Sequence, residues 1–334
     1  MEMKEYSGKK VLITGGLGMI GSRVAEKLVA LGSIVTIADA GISGYGANLF
    51  NIRNVRDEVK VEYSDIRDKE SMTPLVKDSE LIFNLAGQVS HNDSISDPFF
   101  DTELNYLGHM NILEIVKEVN PEIKLIHSGS RMQYGRVDSI PVSEDQPLRP
   151  LSPYALNKTA AENLYLFYHR VYGIPAVCFR ITNPYGPGGQ VKHHKYSMIN
   201  WFTRLALEDK DITIYGDGSQ VRDYIFIDDV ADVLVRSGIN TGSDGEVFNL
   251  GSGKGISFKE MAETIVAAAG TGSIVHVPWP ENYVNIETGD FVADITKLKK
   301  AFSWEPGLSF REGIALTIRH YQDHMENYLH GKAK

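Results

Sequence analysis

Cysteine is almost absent from this chain of 334 residues, which has only Cys178. A single thiol excludes an internal disulfide and any zinc site built from several thiolates, and it fits a reducing compartment. Cys178 lies in the apolar run PAVCFRI, where we expect it to pack as a small buried side chain.

Long apolar runs and an excess of positive charge are absent as well. No segment reaches the roughly 18 consecutive apolar residues that span a bilayer, and the opening segment, MEMKEYSGKK, is polar rather than signal-like. A net charge of -9 disfavours binding along a nucleic-acid backbone but is compatible with small anionic ligands. We therefore expect a cytoplasmic protein with neither a membrane nor a nucleic acid as partner.

The chain does contain a repeated alternation of short apolar runs and amphipathic segments. Such alternation is typical of βαβ units, whose parallel sheet is covered by helices on both faces. The predicted strands are KVLITG, IVTIAD, VKVEYSDI, LIFNLAG, IKLIHSGS, PAVCFRI and EVFNLGSG, and the predicted helices cover about 18–32, 101–120, 152–173 and the stretch from about 310. This pattern predicts an α/β fold with a Rossmann-type doubly wound parallel sheet.

Segments that are denser in glycine and proline, such as NPYGPGGQ and YGDGSQVRDY, interrupt the alternation in the second half. They predict a smaller α/β lobe built from discontinuous pieces. We expect the sheet domain to comprise residues 1–182 plus about 223–252. The smaller lobe would then comprise about 183–222 plus 253–334.

The first predicted strand leads directly into a glycine-rich turn, TGGLGMIG. Gly15 permits a sharp turn, Gly18 lets the backbone approach a pyrophosphate, and Gly21 permits close packing of a helix whose N-terminus supplies amide donors. This GxxGxxG spacing is also compatible with a purely structural turn. Asp39 favours a dinucleotide, because a carboxylate at the end of the second strand accepts hydrogen bonds from ribose hydroxyls. It would repel a 2′-phosphate, so we predict NAD rather than NADP.

A second motif, SPYALNKTAAE, places Tyr154 and Lys158 on one face of a helix. A phenol loses its proton at about pH 10, and a neighbouring ammonium can bring that pKa toward neutral pH. Ser130, or alternatively Ser128, could donate a hydrogen bond to the oxygen on which charge develops during oxidation of an alcohol. A Tyr-x-x-x-Lys pair alone is common on solvated helix faces. Here the pair follows a serine-bearing strand end and a dinucleotide motif. The three features together are far more specific for a catalytic site than the pair alone.

With these motifs the chain resembles the extended short-chain dehydrogenase/reductases that act on nucleotide sugars. The resemblance rests on TGGLGMIG, NLAGQVS, SGSRMQYG, SPYALNK, RITNPYGPGG, YGDGSQVRDYIFIDDVA and FNLGSG, which extend over nearly the whole chain. It implies that Tyr154, Lys158 and Ser130 are catalytic, that NAD is held tightly, and that the smaller lobe grips a nucleotide-diphosphate sugar. It also implies a homodimer, for which the helices near 101–120 and 154–172 are the candidates.

The strand ends and the resemblance together predict the residues that contact each ligand. Asp65 has a second interpretation as a helix N-cap. The predicted NAD contacts are Gly15, Gly18, Met19, Ile20, Gly21, Asp39, Asp65, Ile66, Leu85, Ala86, Gly87, Gln88, Asn105, Ser128, Tyr154, Lys158 and Ile181. The predicted substrate contacts are Ser90, His91, Ser130, Arg131, Asn183, Lys192 and Arg222.

Two of the substrate contacts, Asn183 and Arg222, match family positions that contact the diphosphate. A guanidinium suits that role because its planar fork pairs with phosphate oxygens. The alternative for Arg222 is an ordinary ion pair with Asp223 or Asp228.

Two histidine-bearing segments have open interpretations. His91 follows the fourth predicted strand and could approach the sugar or cap a helix. The loop VKHHK could contribute Lys192 to phosphate binding or be a solvated basic loop. Its adjacent residues His193 and His194 do not point to one side, so no metal site is expected there.

Two departures from the family pattern narrow the range of reactions that we expect. Sugar 4,6-dehydratases carry Asp-Glu directly after the hydroxyl residue, whereas this chain has Arg131 and Met132, neither of which can act as the carboxylate base of dehydration. Arg131 could instead form an ion pair within the scaffold or recognise an anionic or hydroxyl-rich group of the sugar. Glu287 stands where many epimerases have an arginine that grips the diphosphate.

The leading hypothesis is an NAD-dependent nucleotide-sugar epimerase that acts at C4 through a transient 4-keto sugar. Tyr154 would take the proton of the 4-hydroxyl while NAD accepts the hydride, and the keto sugar would receive the hydride on its other face. A nucleotide 4-keto-sugar reductase would use the same residues and is the alternative. A non-catalytic NAD-binding regulator is disfavoured, because it would have no reason to keep Tyr154, Lys158 and Ser130 together.

Overall fold

The computed structural model describes residues 4–42, 44–280 and 287–331. The strands are β1 Lys10–Thr14, β2 Ile34–Ala38, β3 Val59–Glu62, β4 Leu81–Asn84, β5 Lys124–Ser130, β6 Ala176–Ile181, β7 Asn183–Tyr185, β8 Asp211–Tyr215, β9 Val221–Phe226, β10 Val247–Leu250, β11 Gly255–Ser257 and β12 Ser273–Val277. The helices are α1 Met19–Ala30, α2 Lys69–Lys77, α3 His91–Ser96, α4 Pro98–Thr102, α5 Gly108–Val119, α6 Pro153–Tyr172, α7 Met198–Leu207, α8 Ile227–Ile239, α9 Phe258–Ala269, α10 Thr296–Phe302 and α11 Phe310–Leu329. Within the described ranges, no helix is both long and apolar enough to cross a membrane.

A central sheet of seven parallel strands has the order β10-β6-β5-β4-β1-β2-β3. Successive side chains of a strand point to opposite faces, and both faces are buried here. In β6, Val177 and Phe179 pack into one core, while Cys178 packs into the core on the other face. The structure therefore confirms the predicted doubly wound α/β fold and the buried position of Cys178.

Two small sheets lie outside the central one, with the orders β11-β9-β7 and β12-β8. The domain boundary expected at about residue 223 falls inside β9, which pairs with β7 and β11 rather than with the central sheet. The chain returns to the large sheet one element later, because α8 packs against α1 and β10 pairs with β6. We therefore shift that boundary to Ile227, and the division into two domains stays a prediction.

The helix predicted over 101–120 begins slightly earlier and contains an irregularity. Asp97 caps α4 by accepting a hydrogen bond from the Phe100 amide at 3.0 Å, and Pro98 occupies the first turn. A π-helical turn, Glu103–Leu107, joins α4 to α5. Such turns occur often at functional sites because they rotate the side chains that follow.

Helix α6 carries the predicted Tyr-Lys pair near its N-terminus. The Ser152 hydroxyl accepts a hydrogen bond from the Ala155 amide at 3.2 Å, and Pro153 occupies the first turn. Tyr154 and Lys158 are both buried against the sheet, as the spacing of four residues predicts.

A buried ion pair fixes the position of this helix on the sheet. Arg180 of β6 contacts both carboxylate oxygens of Glu162 in α6, at 2.7 and 2.9 Å, and also donates to the Tyr134 hydroxyl at 2.8 Å. The Gln133 side chain donates to Glu162 at 2.9 Å and accepts a hydrogen bond from the Ser130 amide at 2.8 Å. The ion pair is therefore connected through Gln133 to the predicted catalytic serine.

We predict that Glu162→Gln lowers the free energy of unfolding by about 3–5 kcal/mol, because it leaves the buried guanidinium of Arg180 without a counter-charge. The matched control is Asp138→Asn, which removes the partner of Arg149 in an exposed ion pair and should cost below about 1 kcal/mol. Urea unfolding of the two variants measures both values. Equal losses would contradict the prediction.

Candidate active site

A cavity of about 510 Å³ opens at the carboxyl ends of the central strands, the edge at which doubly wound sheets bind ligands. It continues between this edge and the smaller sheets. The predicted site residues that line it are Gly15, Gly18, Met19, Ile20, Gly21, Asp39, Asp65, Ile66, Leu85, Ala86, Gly87, His91, Ser128, Ser130, Arg131, Tyr154, Lys158, Ile181, Asn183 and Arg222. The fold thus brings together residues from many separate segments.

The glycine turn forms one wall of the cavity. Gly15 has a φ of +67°, and a Cβ atom on Gly21 would lie 2.4 Å from the Gly15 carbonyl oxygen, so both positions require glycine. Gly18 is the N-cap of α1 and provides no side-chain capping bond, and the first turn of this helix contains no acidic residue. The amide end of α1 is therefore available for an anion such as a pyrophosphate.

Asp39 and Asp65 lie farther along the sheet edge. The Asp39 carboxylate is held by the amides of Leu17 at 3.0 Å and Gly41 at 2.9 Å, and it borders the cavity at the position expected of a ribose acceptor. Asp65 forms an ion pair with Arg67. The helix N-cap interpretation of Asp65 is wrong, because Asp68 caps α2 by accepting the Glu70 amide at 3.0 Å.

Ser130, Tyr154 and Lys158 meet where the central sheet faces the smaller lobe. The Tyr154 phenol and the Ser130 hydroxyl are hydrogen bonded. The Lys158 ammonium donates to the Ser128 carbonyl oxygen at 3.0 Å. A serine hydroxyl and a phenol are thus placed at one point of the cavity, where they could share the oxygen of a reacting alcohol.

Burial dominates the electrostatics of this group. It raises the pKa of Tyr154 to about 12, against the hydrogen bond from Ser130 and the positive charge of Arg131, while Asp101 acts in the same direction as burial. The Lys158 ammonium points at the Ser128 carbonyl, and Arg131 is the cation that opposes the rise in the Tyr154 pKa. The expected effect of Lys158 on that pKa stays a prediction. Burial also lowers the pKa of Lys158 to about 8, against the negative charge of Asp101.

Asp101 is a member of the site that the sequence interpretation missed. Its carboxylate accepts hydrogen bonds from the side-chain amides of Asn105 at 2.9 Å and Asn157 at 2.8 Å. Burial raises the pKa of Asp101, and the charge of Lys158 opposes that rise. The spacing of four residues between Asp101 and Asn105, and the position of Asn157 beside Lys158, were the available signals.

Three predicted ligand contacts lie behind the cavity wall. The Gln88 side chain bonds back to the main chain of Ser90, at 2.7 Å to its carbonyl, and Asn105 donates to the Gln88 carbonyl at 2.9 Å. Ser90 caps α3 by accepting the Asp93 amide at 3.0 Å. None of the three lines the cavity, and each has a hydrogen bond within or to the loop after β4, although the side-chain oxygen of Asn105 has no partner among the described residues. Their ligand contacts stay predictions.

Lys192 also lies outside the cavity. Its side chain is exposed, and its amide donates to the Gln190 side chain at 2.7 Å. Two later residues of the same loop, His194 and Lys195, line the cavity instead. The loop therefore borders the cavity through His194 and Lys195, and its part in phosphate binding stays a prediction.

Where the cavity borders the smaller sheets, its described lining includes two arginines, Arg131 and Arg222, and one carboxylate, Glu287. Arg222 forms an ion pair with Glu287, rather than with Asp223 or Asp228, and donates to the Gly289 carbonyl at 2.7 Å. The Asp223 carboxylate accepts main-chain amides instead, including that of Ser252 at 2.8 Å.

His91 is the first residue of α3 and borders the cavity. Within the described residues, neither of its buried ring nitrogens has a hydrogen-bond partner. Burial, followed by the charge of Arg131, lowers its pKa below the usual value. A neutral imidazole with two unused nitrogens is therefore available to a polar ligand.

Comparison with known proteins identifies the family. The model of the GDP-mannose 4,6-dehydratase family matches residues 12–317. The chain belongs to this family. The match confirms the resemblance to the extended short-chain dehydrogenase/reductases, in the group of nucleotide-sugar epimerases and dehydratases.

Individual members of this family resemble the chain over nearly its whole length. A UDP-glucose 4-epimerase of Mycolicibacterium smegmatis is 33% identical over 94% of this chain and 99% of its own. A UDP-glucuronate 4-epimerase of Thermodesulfobacterium geofontis is 31% identical, covering 94% and 98%. Other similar members are named as dehydratases or as a decarboxylase, so membership alone does not specify the reaction.

Two solved structures in the same family show the fold. An epimerase of Methanothermobacter thermautotrophicus superposes with a TM-score of 0.92 at 28% identity, over 98% of this chain and 96% of its own. The UDP-glucose 4-epimerase of Thermus thermophilus, in complex with NAD, has a TM-score of 0.82 at 29% identity, covering 94% and 99%. The open helix end, the glycine turn and Asp39 fit the same type of cofactor in this member of the family.

We predict that Lys158→Met changes the pH dependence of stability. Lys158 has a pKa of about 8 in the folded protein and the ordinary lysine value of about 10.4 when unfolded, so the unfolded chain binds more protons between these values. The contribution of Lys158 to the free energy of unfolding should therefore rise by about 3 kcal/mol from below pH 8 to above about pH 10.5. Parallel urea titrations of wild type and variant measure this difference, and a pH-independent difference would contradict it.

Proposed function

We propose that the protein is an NAD-dependent nucleotide-sugar epimerase that inverts C4. The observation that carries this proposal is the position of Ser130 and Tyr154 between two unlike halves of one cavity. One half has the open end of α1 and Asp39, which suit a dinucleotide, and the other has Arg131 and Arg222, which suit a charged substrate. The sequence motifs, the family and the NAD complex of a similar structure all support NAD as the cofactor.

The residues divide the reaction between them. NAD would be held by the amide end of α1 and Asp39, and when bound it would supply a reversible hydride acceptor for C4. Tyr154 accepts the proton of the 4-hydroxyl as the hydride leaves and gives it back when the ketone is reduced on its other face, so the net change is one inverted carbon. Ser130 donates a hydrogen bond to the same oxygen, and the buried Lys158 supplies positive charge beneath the pair.

The surroundings of Ser130 disfavour sugar dehydration. Arg131 and Met132 follow it directly, and neither offers a carboxylate. Among the described acidic residues that line the cavity, Asp39 and Asp65 lie at the dinucleotide end and Glu287 is paired with Arg222. Reversible oxidation at one carbon does not need the carboxylate base that dehydration requires.

We predict that the purified protein converts UDP-glucose or a related sugar nucleotide to its C4 epimer without added NAD(H). Tyr154→Phe should lower kcat by about a thousandfold or more, because it removes the proton acceptor. NMR of the sugar product measures turnover.

Tyr172→Phe, near the other end of α6, is the matched control and should keep full activity because its ring is exposed. A strict need for stoichiometric NAD(P)H with a 4-keto substrate would favour the reductase alternative instead. Full activity in Tyr154→Phe would overturn the proposal.

We further propose that the enzyme is a homodimer. Helices α4 and α6 pack together and carry exposed apolar side chains, namely Phe99, Leu156, Phe167 and Val171. The last three recur at helical spacing on one face of α6. Exposed apolar side chains on these two helices fit contact with a second copy of the chain. The family resemblance implies a homodimer, with the helices near 101–120 and 154–172 as candidates.

Leu156→Asp should convert the dimer into a monomer, because it places a charge on this apolar surface. Leu316→Asp is the matched control, since Leu316 is an exposed leucine of α11 outside the surface. Size-exclusion chromatography with light scattering gives the masses. A monomeric wild type, or equal dissociation of both variants, would overturn the dimer proposal.

A further inference from the structure

Arg131 and Arg180 are both buried, but they differ in how their charges are balanced. Arg180 is neutralised by the bidentate contact with Glu162, and both side chains are almost completely buried. Arg131 is 8% exposed, yet within the described residues it forms no ion pair with a carboxylate. A guanidinium that only supported the fold would need the kind of partner that Arg180 has.

The partners that Arg131 does have are neutral. Its Nε donates to the Asn183 side-chain oxygen at 3.2 Å, and one Nη donates to the Thr288 hydroxyl at 3.1 Å. The guanidinium also lies 5.6 Å from the centre of the Phe291 ring. These contacts fix the plane of the fork and leave N–H donors of both Nη atoms for a ligand, since a guanidinium has five.

The charge of Arg131 is only partly compensated by the nearby carboxylates of Glu287 and Asp223, neither of which forms an ion pair with it. Burial and the nearby charge of Arg222 lower the pKa of Arg131 to about 9, with Glu287 opposing this. Glu287 does not neutralise both arginines, because its carboxylate contacts Arg222 and the Gly289 amide. An anion that entered the cavity would relieve this repulsion.

The position of Arg131 specifies where that anion sits. Arg131 follows Ser130 directly in the chain, and its charge acts on both Tyr154 and His91. A hexose whose 4-hydroxyl meets Ser130 and Tyr154 presents the substituent of the adjacent carbon C5 to the same neighbourhood. Its diphosphate leaves from C1, on the opposite side of the ring, for which Arg222 is the predicted contact. The side chain of Asn183, the other predicted diphosphate contact, is instead bonded to Arg131 and to the Asp223 carbonyl.

We propose that Arg131 is a specificity-determining residue that binds a carboxylate at C6, so that the substrate is a nucleotide-linked uronic acid. This inference rests on the proposed epimerase function and narrows its substrate class. The carboxylate would accept two parallel N–H donors from the prepositioned fork, and the unpaired imidazole of His91 lies beside it.

The test compares binding rather than turnover, so that it is separate from the test of epimerisation. Calorimetric titrations with NAD present would use UDP-glucuronate, UDP-glucose and UDP, with dTDP-linked counterparts as a second series. The protein carries Tyr154→Phe throughout to prevent turnover. Within this background, Arg131→Gln is compared with the exposed control Arg149→Gln.

We expect the uronate to bind at least about tenfold more tightly than the neutral sugar, a factor typical of one desolvated charge pair. Arg131→Gln should abolish that preference and leave the affinity for UDP within about threefold, whereas Arg149→Gln should change neither. Equal weakening of all three ligands would make Arg131 a diphosphate ligand and overturn the inference. An unchanged preference, or no binding in either nucleotide series, would overturn it as well.

Arg131→Lys is the second variant, in case the glutamine variant does not fold. It keeps the charge but loses the planar fork, so part of the preference should persist. A lysine variant that matched the parent protein would contradict bidentate recognition. Absence of epimerisation by the protein with an unaltered Tyr154, together with the expected binding pattern, would overturn the proposed reaction but not the role of Arg131.

Discussion

Burial of the Lys158 ammonium against the Ser128 carbonyl is the interaction on which the site depends. A charge at this depth needs compensation, which comes from that carbonyl and from the carboxylate of Asp101. Asp101 is itself held by Asn105 and Asn157. Helices α4 and α6 are therefore joined by polar contacts as well as apolar packing, and the apolar surface proposed for the dimer lies on the other side of the same two helices. The proposed catalytic residues and the proposed dimer interface would then depend on the same two helices.

The balance of positive and negative charge differs between the two ends of the cavity. The dinucleotide end combines the positive end of α1 with the carboxylate of Asp39, which suits a ligand with both phosphates and hydroxyls. The substrate end has two guanidiniums for one carboxylate, Glu287. Tyr154 lies between the two, where burial opposes its ionisation and the nearby charge of Arg131 favours it. In a site of this kind, the same positive charges would attract anionic ligands and favour ionisation of the Tyr154 phenol.

Much of this arrangement could be predicted from the sequence, because it depends on local spacing. Strand periodicity, the glycine turn and the four-residue interval between Tyr154 and Lys158 each specify a structure within a few residues. The strand ends then converge because a parallel sheet places all its carboxyl ends at one edge. The roles of residues that depend on tertiary packing could not be predicted from local spacing. Gln88, Ser90 and Asn105 have side chains suited to ligand contact, but the loop after β4 uses their hydrogen bonds for its own support.

Electrostatic partnerships were the least predictable part, since they join segments far apart in the chain. The partner of Arg222 is 65 residues away in Glu287, whereas the sequence suggested its neighbours. Arg131 shows why such pairings matter for function. The adjacent Ser130 is held by Gln133 and, through it, by the Arg180–Glu162 pair, so the main chain at Arg131 has little freedom to move. A guanidinium on a fixed main chain, with neutral partners on two sides, selects a ligand by charge and direction together. In the proposed role of Arg131, that rigidity would allow one substitution after Ser130 to change the substrate class without changing the fold.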